Sequence, residues 1–293
     1  MSLRKLTDKS LQLAENIEDG ELGLNEKSRL LLLKSSVTSD LNATLYEPVL
    51  CLILQGSKKV AVGAREIEFG VGESLIVSHD VPVVSRITLA SKDKPYLALV
   101  LGIDLNIIRS LYEEFGESAM LMDGSRSIEV DQVGDDLLDP LYRLVNASQN
   151  KIDSLVLFSQ ILREVHFRLL QARYGGMLRE LLRVDSQASN ISKAISIIRN
   201  QFMNTLSVPD LAKSVGMSTS SFHQHFKSIT ESTPLQYQKD LRLLEARRLI
   251  TTERESVTSA ALRVGYESPN QFSREYTRKF GINPSSDGRS AFA

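Results

Sequence analysis

The chain has 293 residues, 42% of them hydrophobic and 24% charged, with a formal net charge of −1. That length favours two domains over one core, and the composition is that of a globular chain rather than a disordered or membrane-embedded one. One cysteine, Cys51, excludes an intrachain disulfide and a cysteine-rich metal site.

The average charge hides a division. Residues 190–293 carry 14 Lys and Arg against 9 Asp and Glu, whereas residues 1–189 carry 21 against 27. A basic C-terminal part beside an acidic N-terminal part directs only the C-terminal part at a polyanion. The longest apolar runs fall far below the ~18 residues of a membrane helix. No signal-peptide core follows the charges of Arg4, Lys5, Asp8 and Lys9, so a cytoplasmic location without membrane attachment is expected.

In chain order, residues 3–45 read as a helix followed by an extended piece. Short β-prone runs then recur at 49–54, 58–62, 65–69, 74–78, 83–89 and 96–101. Turn residues separate them: Gln55-Gly56, Gly63-Ala64, Gly70-Val71-Gly72 and Asp80-Val81-Pro82. Short strands bounded by Gly and Pro predict an antiparallel sandwich or barrel. Helical periodicity follows at 104–115, 135–147 and 154–173. In the third helix Leu155, Phe158, Ile161, Leu162, Val165 and Leu169 share a stripe that serves either the domain core or a dimer interface. His166 on that helix is expected to be interfacial or exposed. The polar run 183–190 reads as a linker, leaving an N-terminal domain at 1–182 and an all-helical domain at 191–293.

The C-terminal domain contains an internal repeat. Ser207, Ala212, Val215 and Gly216 recur 49 residues later as Ser256, Ala261, Val264 and Gly265. At an offset of 50, Ser218, Phe222, Phe226 and Pro234 recur as Ser268, Phe272, Tyr276 and Pro284. In each copy a serine caps a short helix, a glycine turns the chain, and a second serine caps a helix pinned by two aromatics. That is a helix-turn-helix, present twice. The aromatics belong to the core, because double-stranded DNA presents no base faces in its major groove.

The second helix of the first unit begins at the cap Ser218 and turns Thr219, Ser220, His223, Gln224 and Lys227 outward. Its counterpart turns out Asn270, Gln271, Arg274, Thr277 and Arg278. Gln and Asn pair bidentately with adenine and Arg with guanine, while hydroxyls and lysine suit phosphate. A helix from Pro234 to about Ile250 joins the units, with Leu241, Leu244 and Leu249 inward and Lys239, Arg242, Arg247 and Arg248 mostly outward. Such a linker can hold two reading helices one DNA turn apart, roughly 34 Å. For Arg247 and Arg248 a solvated face and a phosphate contact weigh equally.

These motifs, over about residues 191–285, resemble the AraC/XylS family of transcription regulators. By that resemblance the base-reading positions fall on Ser220, His223 and Gln224, and on Asn270, Gln271 and Arg274. Residues 46–111 resemble the cupin-like N-terminal domain of one AraC subgroup, through Glu47-Pro48, Gln55-Gly56, Gly70, Gly72-Glu73 and Lys94-Pro95-Tyr96-Leu97-Ala98. The resemblance implies an α+β protein, a cupin-like antiparallel β-barrel with a helical appendage followed by the double helix-turn-helix. It also implies a small-molecule effector in the barrel, a homodimer, promoter DNA as target and RNA polymerase as a further partner of an activator. Cys51, Ile53, Val77 and His79 are the effector-facing candidates. The competing class is a cupin-type enzyme fused to a DNA-binding module, and an effector-free architectural DNA-binding protein is a third reading. A cupin metal site needs about three protein ligands, and the barrel segment offers one histidine, so neither metal nor cofactor is expected. Cys51, between Leu50 and Leu52, reads first as a small core residue. A redox or electrophile sensor is the sharper alternative, without a flanking basic residue to lower its pKa.

Overall fold

The computed structural model describes residues 2–115, 126–183 and 185–290. Among them, two antiparallel sheets form the N-terminal domain. One contains β1 (Gly20–Asn25), β2 (Leu30–Ser35), β9 (Tyr96–Gly102), β4 (Val49–Gln55), β7 (Glu73–Val77) and β10 (Ile128–Gln132), in that spatial order. The other contains β3 (Asn42–Tyr46), β8 (Val81–Leu89), β5 (Ser57–Val62) and β6 (Arg65–Gly70), again in that order.

Strand residues alternate between two faces. On the larger sheet, Cys51, Ile53, Leu75, Val77, Tyr96 and Ala98 meet Val60, Val62, Val81 and Val83 of the smaller one. Its opposite face carries Leu30, Leu32, Leu50, Leu52, Leu97 and Leu99 under a helical layer. That layer includes α1 (Ser2–Ala14), α2 (Leu105–Phe115), α3 (Asp135–Ser148) and α5 (Phe158–Gln171). Covering both faces explains why β4 and β9 read as continuous apolar runs rather than as alternations.

Several expectations are corrected. The helix expected within 3–45 ends at Ala14, and the extended piece after it forms the β1–β2 hairpin and β3. The apolar run Leu30–Leu33 is therefore strand, paired with β9. The expected helix 154–173 is broken. α4 (Lys151–Val156), capped by the Asn150 side chain, ends before α5 begins at Phe158. Phe158, Ile161, Val165 and Leu169 join the core, but Leu155 lies before the break and is 84% exposed. α6 (Gly176–Leu182) closes the domain.

His166 is not exposed but fully buried. Its Nδ1–H donates to the Leu162 carbonyl at 2.8 Å and its Nε2 accepts from the Asp104 amide at 2.9 Å. A ring with both nitrogens satisfied stays neutral, and burial lowers its pKa against the effect of those partners. It joins α5 to the start of α2.

Of the expected linker, Val184 lies outside the described residues, and 187–190 form the first turn of α7 (Gln187–Gln201), capped by Ser186. After it come α8 (Val208–Ser214), α9 (Thr219–Thr230), α10 (Pro234–Thr251), α11 (Val257–Arg263), α12 (Pro269–Phe280) and α13 (Pro284–Ser290). Among the described residues no helix is long and apolar enough to cross a membrane.

Candidate nucleic-acid interface

Both repeat units fold as their punctuation dictates. Ser207, Ser218, Ser256 and Ser268 each accept a hydrogen bond from the amide three residues on, at 3.5, 3.3, 3.1 and 3.3 Å. Gly216 and Gly265 turn the chain at φ +72° and +89°. The offset of 50 reaches further than the sequence motif: α9 ends on left-handed Glu231 where α12 ends on left-handed Gly281. Two separate cores result. Phe222 and Phe226 stack with Tyr237 in the first, and Phe272 and Tyr276 with Tyr266 and Phe280 in the second.

The two cores are joined through α10. Arg242 donates from all three guanidinium nitrogens to the carbonyls of Phe202, Met203, Asn204 and Gly265, at 2.6 to 3.0 Å. It braces the turn before α8 against the turn after α11 and does not face outward. Arg247 pairs with buried Asp287 of α13 at 2.8 Å, and Arg248 pairs with Glu245 and Glu253, each at 2.8 Å. Arg247 is drawn into the fold by a buried partner, whereas Arg248 stays on an exposed face. Leu243 takes an inward position, 2% exposed, whereas Leu244 is only partly buried.

The outward faces remain open. Thr219, Ser220, His223, Gln224 and Lys227 are exposed along α9, and Asn270, Gln271, Arg274, Thr277 and Arg278 along α12. Ser218 is exposed as well, with its hydroxyl engaged as the cap. Gln271 reaches Glu275 at 3.3 Å. The charges are sorted. Lys239, Arg247, Arg248, Arg263 and Lys279 are neutralised by carboxylates of the same domain. Lys227, Arg274 and Arg278 stand on the reading faces with no carboxylate partner among the described residues. Lys213, exposed in the last turn of α8, joins them. The motif-based reading missed it because it lies outside the reading helices.

The first unit docks on the small sheet. Leu45 of β3 packs into its core, and the Tyr237 hydroxyl donates to the Asp80 carbonyl at 2.7 Å. Arg199 bridges Asp80 and Glu47, while the Ser127 hydroxyl donates to the Ile229 carbonyl. A cleft of about 790 Å³ lies beside this junction, between β3 and α10. No equivalent contact holds the reading face of α12 among the described residues.

The effector candidates do not all come together. Cys51, Ile53 and Val77 are packed between the sheets, none more than 6% exposed. His79 follows β7 and joins the domain junction instead: its Nε2–H donates to the Ala188 carbonyl at 3.3 Å, and its Nδ1 accepts from the Ser78 hydroxyl at 2.9 Å. Burial lowers its pKa to about 4, opposed in part by the Ala188 hydrogen bond. A histidine whose pKa falls on folding gives its full contribution above about pH 6.5 and loses it as pH drops towards the folded value. Wild-type stability should therefore fall by about 2 kcal/mol more than that of His79→Gln between pH 7 and pH 5. Urea melts at several pH values measure this, and equal slopes would remove the histidine from the account. Burial likewise pushes the Cys51 thiol up, against smaller effects of Lys58 and Tyr96, which favours its protonated form. Among the described residues no three His, Cys, Asp or Glu side chains gather into a metal-binding group.

Comparison with known proteins bears on this geometry. Residues 27–177 match the family described as AraC-type transcriptional regulator N-terminus, and residues 211–289 match a helix-turn-helix domain family. The chain belongs to the AraC-type transcriptional regulators. Curated AraC-type relatives include the HTH-type transcriptional activator RhaS of Escherichia coli O1:K1 and of strain SMS-3-5, each 28% identical over 154 residues. Those matches cover 52% of this chain and 55% of RhaS, so the chain spans about half the length of the curated relatives it matches. An apo ToxT variant from Vibrio cholerae strain SCE256 shares the fold at a TM-score of 0.56 and 12% identity, over 93% of this chain and 99% of that one. Unsaturated-fatty-acid-bound ToxT from the same strain aligns at 0.55 and 12%, over 88% and 94%. The fold agrees with the expected α+β class, the barrel being built as two facing sheets.

Proposed function

We propose that this chain is a sequence-specific, DNA-binding transcription regulator controlled by a small molecule sensed in its N-terminal domain. The carrying observation is the charge sorting. The basic groups left unpaired on α9 and α12 share their exposed faces with the amides and hydroxyls that read base edges. α10, with 18 residues, spans about 27 Å, enough to set the two faces on neighbouring turns of one duplex. Residues 1–182 sense and dimerise, 183–190 connect, and 191–293 bind promoter DNA. The fatty acid held by ToxT supports a small-molecule role for this fold. The activator role of RhaS supports transcriptional activation, and RNA polymerase as partner and a cytoplasmic location complete the reading.

Among the bases' partners, Arg274 is assigned to guanine and the amides of Asn270 and Gln271 to adenine. Arg274→Ala should cost about 1–3 kcal/mol on the preferred site and relax preference at one base pair. Titration of the variant against single-base-pair changes tests this; a uniform loss on every sequence would make Arg274 a phosphate contact. Homodimer formation is supported by the exposed apolar groups Ile152, Leu155, Val156 and Leu157 of α4 and its end. Leu155→Arg is expected to shift sedimentation towards monomer, and an unchanged dimer would place the interface elsewhere.

A further inference from the structure

The second reading helix carries a carboxylate beside its reading face. Glu275 lies four residues after Gln271, one helical turn on, so the two side chains are neighbours along α12. Donors from three elements converge on it. The Tyr266 hydroxyl, from the turn before α12, donates to Oε2 at 2.8 Å. The Lys239 ammonium of α10 donates to Oε1 at 3.1 Å, and Gln271 Nε2–H donates to the same oxygen at 3.3 Å. The Glu275 side chain is 14% exposed and Tyr266 is buried, while Gln271 stays exposed. Burial opposes ionisation of Glu275, but the hydrogen bonds from Tyr266, Lys239 and Gln271 outweigh it and hold the carboxyl below the usual carboxylate range.

An ionised carboxylate only accepts hydrogen bonds. It therefore decides which end of the Gln271 amide turns towards it, and that end is the nitrogen. One N–H and the carbonyl oxygen of Gln271 remain, a donor beside an acceptor, which is the pair that matches N7 and the N6 amino group of adenine. A glutamine without such a tether could turn either end to a base and would lose more side-chain freedom on binding. Two observations separate this arrangement from an ion pair that only packs two helices. α10 and α12 are already tied one turn further along by Asp240 and Lys279, at 2.7 Å. At the register set by the offset of 50, the first unit carries Ser221 and His225, so α9 is capped and packed without a carboxylate there.

We propose that Glu275 is a positioning residue for base recognition: held by Lys239 and Tyr266, it fixes the Gln271 amide with one donor and one acceptor presented to adenine. The device belongs to the second unit alone, which gives that unit the sharper base preference. Glu275 acts through Gln271, so its role rests on the assignment of Gln271 to a base made above. Its charge is balanced by Lys239, so the reading face keeps its attraction for the duplex.

The test is titration of the full chain against a site enriched from a random-sequence pool, the single-base-pair changes of that site, and an arbitrary duplex. Gln271→Ala should flatten preference at one base pair, which identifies the pair that Gln271 reads. Glu275→Ala should lower preference at that same pair about three- to tenfold, within the worth of one bidentate contact. Its affinity for the arbitrary duplex should hold or rise, because a negative charge is lost and Lys239 is freed. Added to Gln271→Ala, Glu275→Ala should remove no further preference, since two residues acting through one contact are not additive. Lys279→Met, which breaks the parallel tie, should lower the melting temperature and leave the preference as it was. Should Glu275→Ala fold poorly by circular dichroism, Glu275→Gln decides: it keeps the size, but its amide can offer Gln271 either end, so preference should still fall severalfold. Unchanged preference in the Glu275 variants, an equal loss on every duplex, or as large a loss in Lys279→Met would overturn the positioning role. A loss at a different base pair would overturn it too, making Glu275 a base contact itself. No effect of Gln271→Ala at any pair would overturn the assignment of Gln271, and the role of Glu275 with it.

Discussion

Gly265→Ala is expected to unfold the second helix-turn-helix unit while the N-terminal sheets stay intact. Gly265 adopts φ +89°, and a Cβ there would overlap the Met203 carbonyl oxygen and press on Arg242 Nη2. That carbonyl is one of the acceptors for Arg242, so relief of the clash would loosen the brace between the units. Left-handed strain of about 1–2 kcal/mol adds to a backbone overlap that no side-chain rotation removes, about 3–5 kcal/mol together. The repeat provides its own control. Gly216 has φ +72° with nothing within 4 Å of the added Cβ, so Gly216→Ala should cost only the strain, about 1–2 kcal/mol. Chemical denaturation of both variants measures the contrast. Equal costs would show that the close approach at Gly265 is not what fixes the second turn.

The second large effect is at the end of the chain. Asp287, 7% exposed, accepts from the Tyr276 hydroxyl at 2.6 Å and from Arg247 Nε at 2.8 Å. Arg247 also lies over the Phe280 ring, 4.8 Å from its centroid. Asp287→Ala would leave a partly buried guanidinium and a buried hydroxyl without their acceptor, a loss of about 3–5 kcal/mol. Tyr276→Phe removes one donor and leaves the ion pair, and should cost about 1 kcal/mol. Thermal melts of the two variants test the ranking. A cost for Asp287→Ala no greater than for Tyr276→Phe would mean that the ion pair contributes nothing net.

These two positions mark what sequence reading reached and what it did not. The repeat was legible because caps, glycine turns and core aromatics are local signals, recurring at 49 and 50 residues. So were the six strands between 49 and 102, where turn residues bound each apolar run. The division and pairing of the extended piece into β1, β2 and β3, and the strand β10, were not, because that pairing is set by distant partners such as β9 and β7 rather than by local composition. The reading-face residues follow from helical periodicity and are exposed as expected. Arg242, Arg247 and Arg248 show the limit of that argument: periodicity places a charge on a face, but only tertiary structure shows which carbonyl or carboxylate meets it. His166 and His79 were similarly opaque, each satisfied by a backbone group far away in sequence, 62 and 109 residues respectively.

Selection of bound DNA from a random-sequence pool by the full chain, with footprinting of the enriched sites, tests the central claim most directly. Two major-groove contact segments should appear about 10 base pairs apart on one face of the duplex, with the stronger base preference in the segment read by Asn270, Gln271 and Arg274. Binding that enriches no sequence and only weakens with salt would contradict the claim, leaving the two exposed helices as a charged surface rather than a reader.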